Sequence, residues 1–246
     1  MGDLRVEVGD GIAVLTIDRP RANNSITGNL LRELLTAVAE CDADDGVRAI
    51  VTTANVADGA TAWCAGVDLR VLEALGPGAN ADDMFFDGML EGDSAFLGIS
   101  PRARPFATLG PGHWVLAWRR YDTPLIAAIN GAAAGGGLGL ALLHDYRVAG
   151  ESARFKAAFA TVGVAPDMGV TWLLPRLIGP AAATEMLLRD RPLDAAEARS
   201  VGLVHTVVPD GEVVKVAVEI AAGIAALPPL GVRAAVRALR AAPDQT

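Results

Sequence analysis

The stretch AAINGAAAGGGLGLALLHDY, Ala127 to Tyr146, sets the narrowest limits on what this chain can fold into. From Leu125 to Leu143 there are nineteen residues without a charge, nearly the length that a membrane helix requires. Five glycines and Asn130 make a spanning helix a poor solution, since each glycine weakens a helix through backbone entropy. The pattern predicts instead a short buried strand in PLIAAIN, a glycine-rich loop, and a helix that begins near Gly136 and ends at His144 and Asp145. A glycine cluster at a helix start has two physical uses. It lets another backbone or a ligand come close, and it leaves N–H groups pointing outward at the positive end of the helix dipole, which suits an anion. GGG alone is compatible with either a tight helix–sheet contact or an anion site.

The flanking sequence places this segment in a repeating order. LRVEVGDGIAVLTI reads as two alternating strands around a Gly9-Asp10-Gly11 turn. TGNLLRELLTAVAECDA puts Leu30, Leu31, Leu34, Leu35 and Val38 at helical spacing, with Thr27 as N-cap. VRAIVTTA is a buried strand, and strand, helix, strand recurs through PLIAAIN, LGLALL and YRVAG, so the class is α/β with crossovers. Between Leu72 and His113 the pattern breaks into GPGANADD, GISPRARP and LGPG around a short amphipathic piece, MFFDGML. A loop of that size in a compact domain is usually functional. Beyond Gly150 come ARF, a helix VTWLLPRLI, another from Ala181 to Arg189, a third around DAAEARSVG, a strand LVHTVV and two Ala-rich helices. No repeat and no Gly/Ser linker marks a second folding domain.

Composition narrows the ligand. With 29 acidic against 21 basic side chains in 246 residues, a net charge of -8 argues against a nucleic-acid groove and against adsorption to anionic lipid, leaving a pocket as the place where a ligand binds. Cys41 and Cys64 form neither a disulfide framework nor a metal cluster, and no His/Cys/carboxylate spacing suggests a metal site. The start, MGDLRVEVGD, lacks the regions of a leader peptide, so a cytoplasmic protein is expected. AAAGGGLGL is followed by no Lys-Ser/Thr, and no acidic residue ends the next strand, which demotes nucleotide hydrolysis and hydride transfer. The acids Asp82, Asp83, Asp87, Glu91 and Asp93 do not match a calcium loop and read as a solvated face. His144 and His205, at a helix end and a strand start, read as structural. A second loop of interest is TAWCAGVDLR, where Ala65 and Gly66 end a strand and Asp68 can cap a short helix. Two helix N-termini of this kind, brought together, make a pair of backbone donors.

DRPRANNSI, AWCAGVDL, AAINGAAAGGGLGLAL, VGVAPDMGVTWLLPRLIG and LDAAEARSVGLVHTVV, in that order, resemble the enoyl-CoA hydratase/isomerase (crotonase) family across nearly the whole chain. The resemblance implies a spiral of strand-strand-helix turns over residues 1–190, then a helical trimerisation region over 191–246 that is shorter than in relatives. It implies acyl-CoA substrates and a homotrimer or dimer of trimers, with no cofactor beyond the coenzyme A of the substrate. Matching the family's motifs, the N–H groups of Val67 and Gly136 would hold the thioester oxygen. Arg21 and Asn23 would lie near the phosphates and adenine of coenzyme A, alongside the backbone of Ala65, Asp68 and Leu69. Met84, Phe85, Phe86 and Met89 would close over the acyl chain together with Phe159, the alternative being that their segment is a plain surface loop.

Two departures bear on chemistry. Family hydratases carry a glutamate three residues after the middle glycine and another after the ARF segment, whereas here those positions are Gly139 and Phe159. Neither can move a proton, so hydration, which needs a positioned acid and base, is not expected. Asp167 in VAPDMG stands where some family isomerases have their base and dehalogenases their nucleophile. As an alternative it is simply an N-cap of the following helix. Expected first is therefore an enoyl-CoA isomerase using Asp167. Alternatives are a catalytically silent acyl-CoA-binding protein, or a dehalogenase or hydrolase working through an Asp167 ester with His113 as the nearest candidate for a second base.

Overall fold

A computed structural model describes residues 2–68, 70 and 111–242. The first element is a hairpin. Strands β1 (Leu4–Gly9) and β2 (Ile12–Ile17) pair antiparallel from Leu4↔Ile17 to Gly9↔Ile12. Asp10 and Gly11 between them have φ of 51° and 77°, the two left-handed residues that a tight hairpin turn requires. Helix α1 (Gly28–Ala43) starts where expected, with Thr27 Oγ1 accepting the Leu30 N–H at 3.2 Å, and it buries Leu30, Leu31, Leu34, Leu35 and Val38. It carries the chain to β3 (Ala49–Ala54), which lies parallel to β2.

Among the described residues the strands form two sheets. The larger runs β1-β2-β3-β5-β7-β10, with β5 (Leu125–Ile129), β7 (Tyr146–Gly150) and β10 (Thr206–Val208) all parallel to β3. Its central strands are buried on both faces, which is why AIVTTA and LIAAI are apolar runs without alternation. One face meets α1 and the main core around Trp63, Phe155, Leu15 and Ile17. Its other face, with Val51, Ile126, Ala128 and Val148, is covered by Val213, Ala217 and Ala221 of α8 (Val213–Ala225). A strand and a helix from beyond residue 190 thus complete the same sheet.

The smaller sheet runs β4-β6-β8-β9, from β4 (Ala62–Cys64), β6 (Ala132–Ala134), β8 (Arg154–Lys156) and β9 (Leu193–Asp194). Its first three strands each follow a strand of the larger sheet, and they hold the loops that matter below. The helices between are α2 (Pro111–Trp118), α3 (Gly136–Leu142), α4 (Phe159–Val162), α5 (Val170–Ile178), α6 (Pro180–Leu188), α7 (Ala195–Ser200) and, after α8, α9 (Pro229–Ala241). A capping box between Asp194 and Glu197 fixes the start of α7. No single described helix is long and apolar enough to cross a membrane.

Helix α9 is fastened to the body by charge. The Arg240 guanidinium, 9% exposed as a residue, donates to Asp145 at 2.8 and 2.5 Å and to the carbonyls of Tyr121 and Thr123 at 2.5 and 3.3 Å. Arg237 forks onto Asp122 at 3.0 and 2.5 Å. Removing one member of a buried pair strands the other and its carbonyl partners. Arg240→Ala should therefore lower the unfolding free energy by roughly 3 kcal/mol in a denaturant titration, whereas an unchanged midpoint would mean that α9 docks through its apolar face alone.

Candidate active site

Two loops, one after β4 and one after β6, meet backbone to backbone. In the first, the Ile26 N–H donates to the Gly66 carbonyl at 2.7 Å and the Asp68 N–H donates to the Ile26 carbonyl at 2.9 Å. Ile26 thus grips the residues on either side of Val67, and parallel pairing turns the Val67 N–H away from Ile26. The loop is shaped from below by Asn24, which is fully buried and left-handed at φ 54°. Its Oδ1 accepts the Arg19 N–H at 3.0 Å, and its Nδ2 donates to the carbonyls of Asn55 and Ala62 at 3.0 and 2.8 Å.

In the second loop, Gly135 has φ 52° and donates its N–H to the Lys156 carbonyl at 3.1 Å. Gly136 then opens α3, so its N–H stands in the first turn, where no carbonyl four residues back lies within the helix. A Cβ on Gly137 would lie 2.1 Å from the Cys64 carbonyl oxygen, and one on Gly66 would lie 2.7 Å from the Ala134 oxygen and 3.3 Å from the Gly136 nitrogen. Only hydrogens fit at either place. Val67 Cγ2 is 3.8 Å from where a Cβ on Gly136 would be. Gly137 makes the tight contact, and Gly136 sits beside Val67 at the start of the helix.

Asp167 lies in the turn before α5, but it is not that helix's cap. The N-cap is Gly169 at φ 71°, with no side-chain capping bond. Asp167 Oδ1 is buried without a hydrogen-bond partner among the described residues. Burial raises the carboxyl to about 6, opposed only by a hydrogen bond from its own backbone. The next residue, Met168, is seated on α3, its Cβ 2.4 Å from where a Cβ on Gly139 would stand. Gly139 is three residues along α3 from Gly136, a rise of about 4.5 Å. The turn bearing Asp167 is thus stacked on the helix that begins at Gly136. Position 139 has no room for a side chain, and Phe159 opens α4 as a buried apolar residue.

The residues expected around coenzyme A are placed as follows. Arg21 is in a 3-10 turn, Pro20–Ala22, on an open groove of about 370 Å³ that is also lined by Asp3, Asp18, Arg19 and Arg70. Asn23 is exposed, its Oδ1 accepting the Thr61 N–H and its carbonyl accepting the Ala65 N–H, both at 3.2 Å. The N–H groups of Ala65 and Asp68 are engaged within the protein, so any backbone contact from these two comes from carbonyl oxygens. The Asp68 carboxylate accepts the Arg70 N–H at 3.2 Å, as a helix-starting aspartate does, and is held well below the usual carboxylate range, chiefly by the Arg70 side chain at 2.9 and 2.7 Å. Leu69, Met84, Phe85, Phe86 and Met89 lie outside the described residues, as do the acids of that loop. His113 falls in the first turn of α2. His144 is buried between the Leu140 carbonyl and Thr52 Oγ1, and burial pushes it down to about 4. His205 accepts the Arg147 N–H, stacks on Tyr146 and is likewise pushed down to about 4, mainly by burial.

The sequence reading missed Asn24. Its signal is the pair Asn23-Asn24, both left-handed at φ 49° and 54°, a conformation that asparagine tolerates. It also missed Asp190, whose carboxylate accepts the Ala158 N–H at 2.7 Å and pairs with Lys156 at 3.1 Å. No local pattern announces that contact.

The family model described as enoyl-CoA hydratase/isomerase matches residues 7–91 and 112–246. A probable enoyl-CoA hydratase of Rhodobacter capsulatus is 34% identical over 207 residues, covering 84% of this chain and 69% of its own. The 1,2-epoxyphenylacetyl-CoA isomerase of Escherichia coli is 32% identical over 241 residues, 97% of this chain and 82% of its own. The crystal structure of a monofunctional enoyl CoA isomerase from M. smegmatis superposes with a TM-score of 0.74 at 28% identity, covering 100% of this chain and 96% of that one.

The Asp167 environment has a consequence for stability. A carboxyl raised above its ordinary 3.8 favours the folded state while protonated, so the stability it contributes is present below pH 4 and is lost as pH rises through about 6. Asp167→Asn, which carries no charge to bury, should therefore equal the unmodified protein near pH 4. Above pH 6 it should exceed it by up to about 3 kcal/mol. Denaturant titrations across that range decide the matter; a loss of stability at neutral pH would restore the capping role.

Proposed function

The chain belongs to the enoyl-CoA hydratase/isomerase family, whose members are acyl-CoA enzymes, and on that footing we propose that it is an enoyl-CoA isomerase. The observation that carries the reading is the contrast between Asp167 and the two hydratase positions. A carboxyl raised to about 6, one of whose oxygens is buried without a partner among the described residues, lies in the turn stacked on the helix that starts at Gly136, while position 139 is closed by Met168 and position 159 holds a buried phenylalanine.

In this mechanism the thioester oxygen takes hydrogen bonds from the N–H groups of Val67 and Gly136. The Asp167 carboxylate removes a proton from the carbon next to the thioester of a β,γ-unsaturated substrate. The electron pair of that C–H bond passes into the conjugated system, with negative charge on the oxygen. Protonated Asp167 then returns the proton two carbons along, and the double bond lies in conjugation. A base near 6 is matched to this task at neutral pH, because it is ionised yet still basic enough to accept a carbon acid's proton. A preorganised backbone donor at the developing oxyanion is worth about 3–4 kcal/mol of barrier. Most named relatives are hydratases, and the reading departs from them on the ground of residues 139 and 159. The isomerases among the neighbours support it.

The purified protein should move a β,γ double bond into conjugation and exchange the α-proton of a thioester with deuterated solvent, while hydrating crotonyl-CoA barely at all. Its isomerase rate should fall as pH drops through about 6 and be flat above. Asp167→Asn should reduce it by ~10²–10⁴-fold. Hydration at a rate comparable with isomerisation would overturn the assignment. Tight binding of acyl-CoA without exchange at any pH would identify a silent binder instead.

We propose also a homotrimer or dimer of trimers, supported by Leu188, Leu227, Leu230 and Leu239, which expose 76, 52, 83 and 71% of their surface on or beside α6, α8 and α9. A monomer in sedimentation at micromolar concentration would remove that reading.

A further inference from the structure

We infer that Asp190 is a positioning residue which, through the β8–α4 turn, sets the direction of the Gly136 N–H. The inference rests on the proposed role of that N–H. Asp190 follows α6 and is itself left-handed at φ 52°, with a side chain 11% exposed. From there its carboxylate reaches three groups of a turn that lies between Lys156 and Thr161, well before it in the chain. Oδ1 accepts the Ala158 N–H at 2.7 Å, while Oδ2 accepts the Thr161 hydroxyl and pairs with Lys156 Nζ at 3.1 Å. Burial works against this anion, and the three donors outweigh it, so the carboxyl is held below its ordinary range.

What the carboxylate holds is an unfavourable backbone. Ala158 has φ 63°, a conformation that an alanine avoids unless its surroundings impose it, and it is the residue that turns β8 into α4. On one side of the turn, the Lys156 carbonyl takes the Gly135 N–H, and β8 pairs with β6 through Ala134↔Lys156. The Ala157 oxygen lies 3.8 Å from where a Cβ on Gly135 would be. Gly135 is the residue whose φ of 52° turns the chain into α3, so the plane of the peptide that carries the Gly136 N–H follows from where β8 holds it. On the other side, α4 buries Phe159 and leads into the turn bearing Asp167. One carboxylate thus ties the middle of both lines. A role confined to holding α6 would not require Lys156, Ala158 and Thr161 all to converge on it.

The readout that separates positioning from plain stability is the carbonyl band of a bound thioester. Butyryl-CoA labelled with ¹³C at the carbonyl, bound to the full chain, should show its C=O stretch at lower frequency than in water. Asp190→Ala should show a smaller shift, together with a kcat for isomerisation lower on the order of 10-fold to 100-fold at similar affinity for the thioester. Ala158→Gly added to Asp190→Ala should recover much of both, because glycine takes the left-handed turn without being held. Asp190→Asn, which keeps an acceptor for the Ala158 N–H, serves if the alanine variant does not fold, and should fall between. A band that shifts in the unmodified protein and is unchanged in the Asp190 variants overturns this inference alone. No shift in the unmodified protein overturns the oxyanion reading and this inference with it.

Discussion

The Cys64 carbonyl oxygen lies 2.1 Å from where residue 137 would carry a side chain, and much of the molecule is arranged so that this contact can exist. It seats the first turn of α3 directly on the end of β4, with no side chain between them. Because α3 is seated there, Gly66 in the loop after β4 comes within reach of the Ala134 oxygen and the Gly136 nitrogen. Glycines in a helix cost up to about 1 kcal/mol each relative to alanine, and α3 carries three in its seven residues. A single methyl at 66 or 137 would force two backbones apart. That displacement would cost both the helix its seat and the two loops their common edge, so the weak helix is the smaller sacrifice.

Three aspartates around this seat show how environment assigns different work to one side chain. Asp68 is saturated by Ser25, Arg19 and Arg70 and is a fixed anion at any physiological pH. Asp190 is saturated by Lys156, Thr161 and the Ala158 N–H and is likewise fixed. Asp167 is supplied with nothing but its own backbone N–H, and its carboxyl rises into the range where a proton can come and go. A carboxylate that holds structure needs donors, and one that moves protons needs to lack them. The fold separates the two conditions by placing Arg19 and Arg70 on Asp68 and Lys156 on Asp190, and no such cation on Asp167 among the described residues.

What the sequence made legible follows the range of the physics involved. Thr27 at the start of α1 and the Asp10-Gly11 turn are satisfied within a few residues, and local pattern reports them. The buried strands β3 and β5 are legible because two covered faces leave only apolar choices. Of the smaller sheet only the strand that ends at Ala65 and Gly66 was legible, since strands of two or three residues have no period to measure and exist only because distant backbones align. Asp167 reads in sequence as a plausible cap, and only the fold shows that Gly169 takes that place. Gly139 reads as a missing glutamate, whereas the fold makes it a packing requirement imposed by Met168. Asn24 and Asp190 act over distances in sequence that no local signal spans.

The desolvation of Asp167 is itself assembled from far away. Gly169, two residues on, has φ 71°, and a Cβ there would stand 2.9 Å from Val115 Cγ1, so α2 lies directly on the turn. Helix α2 ends at Trp118, and the carbonyls of Trp118, Tyr121 and Thr123 that follow are gathered by the Arg240 guanidinium of α9. Asp145, at the far end of the charge-free run in which α3 lies, anchors the same guanidinium. The last helix of the chain therefore holds α2 down, α2 lies on the turn, and the turn carries a carboxyl whose Oδ1 is buried without a partner among the described residues. In that arrangement the acidity of one buried residue is a property of tertiary packing as a whole, and residue identity at position 167 is only its final term.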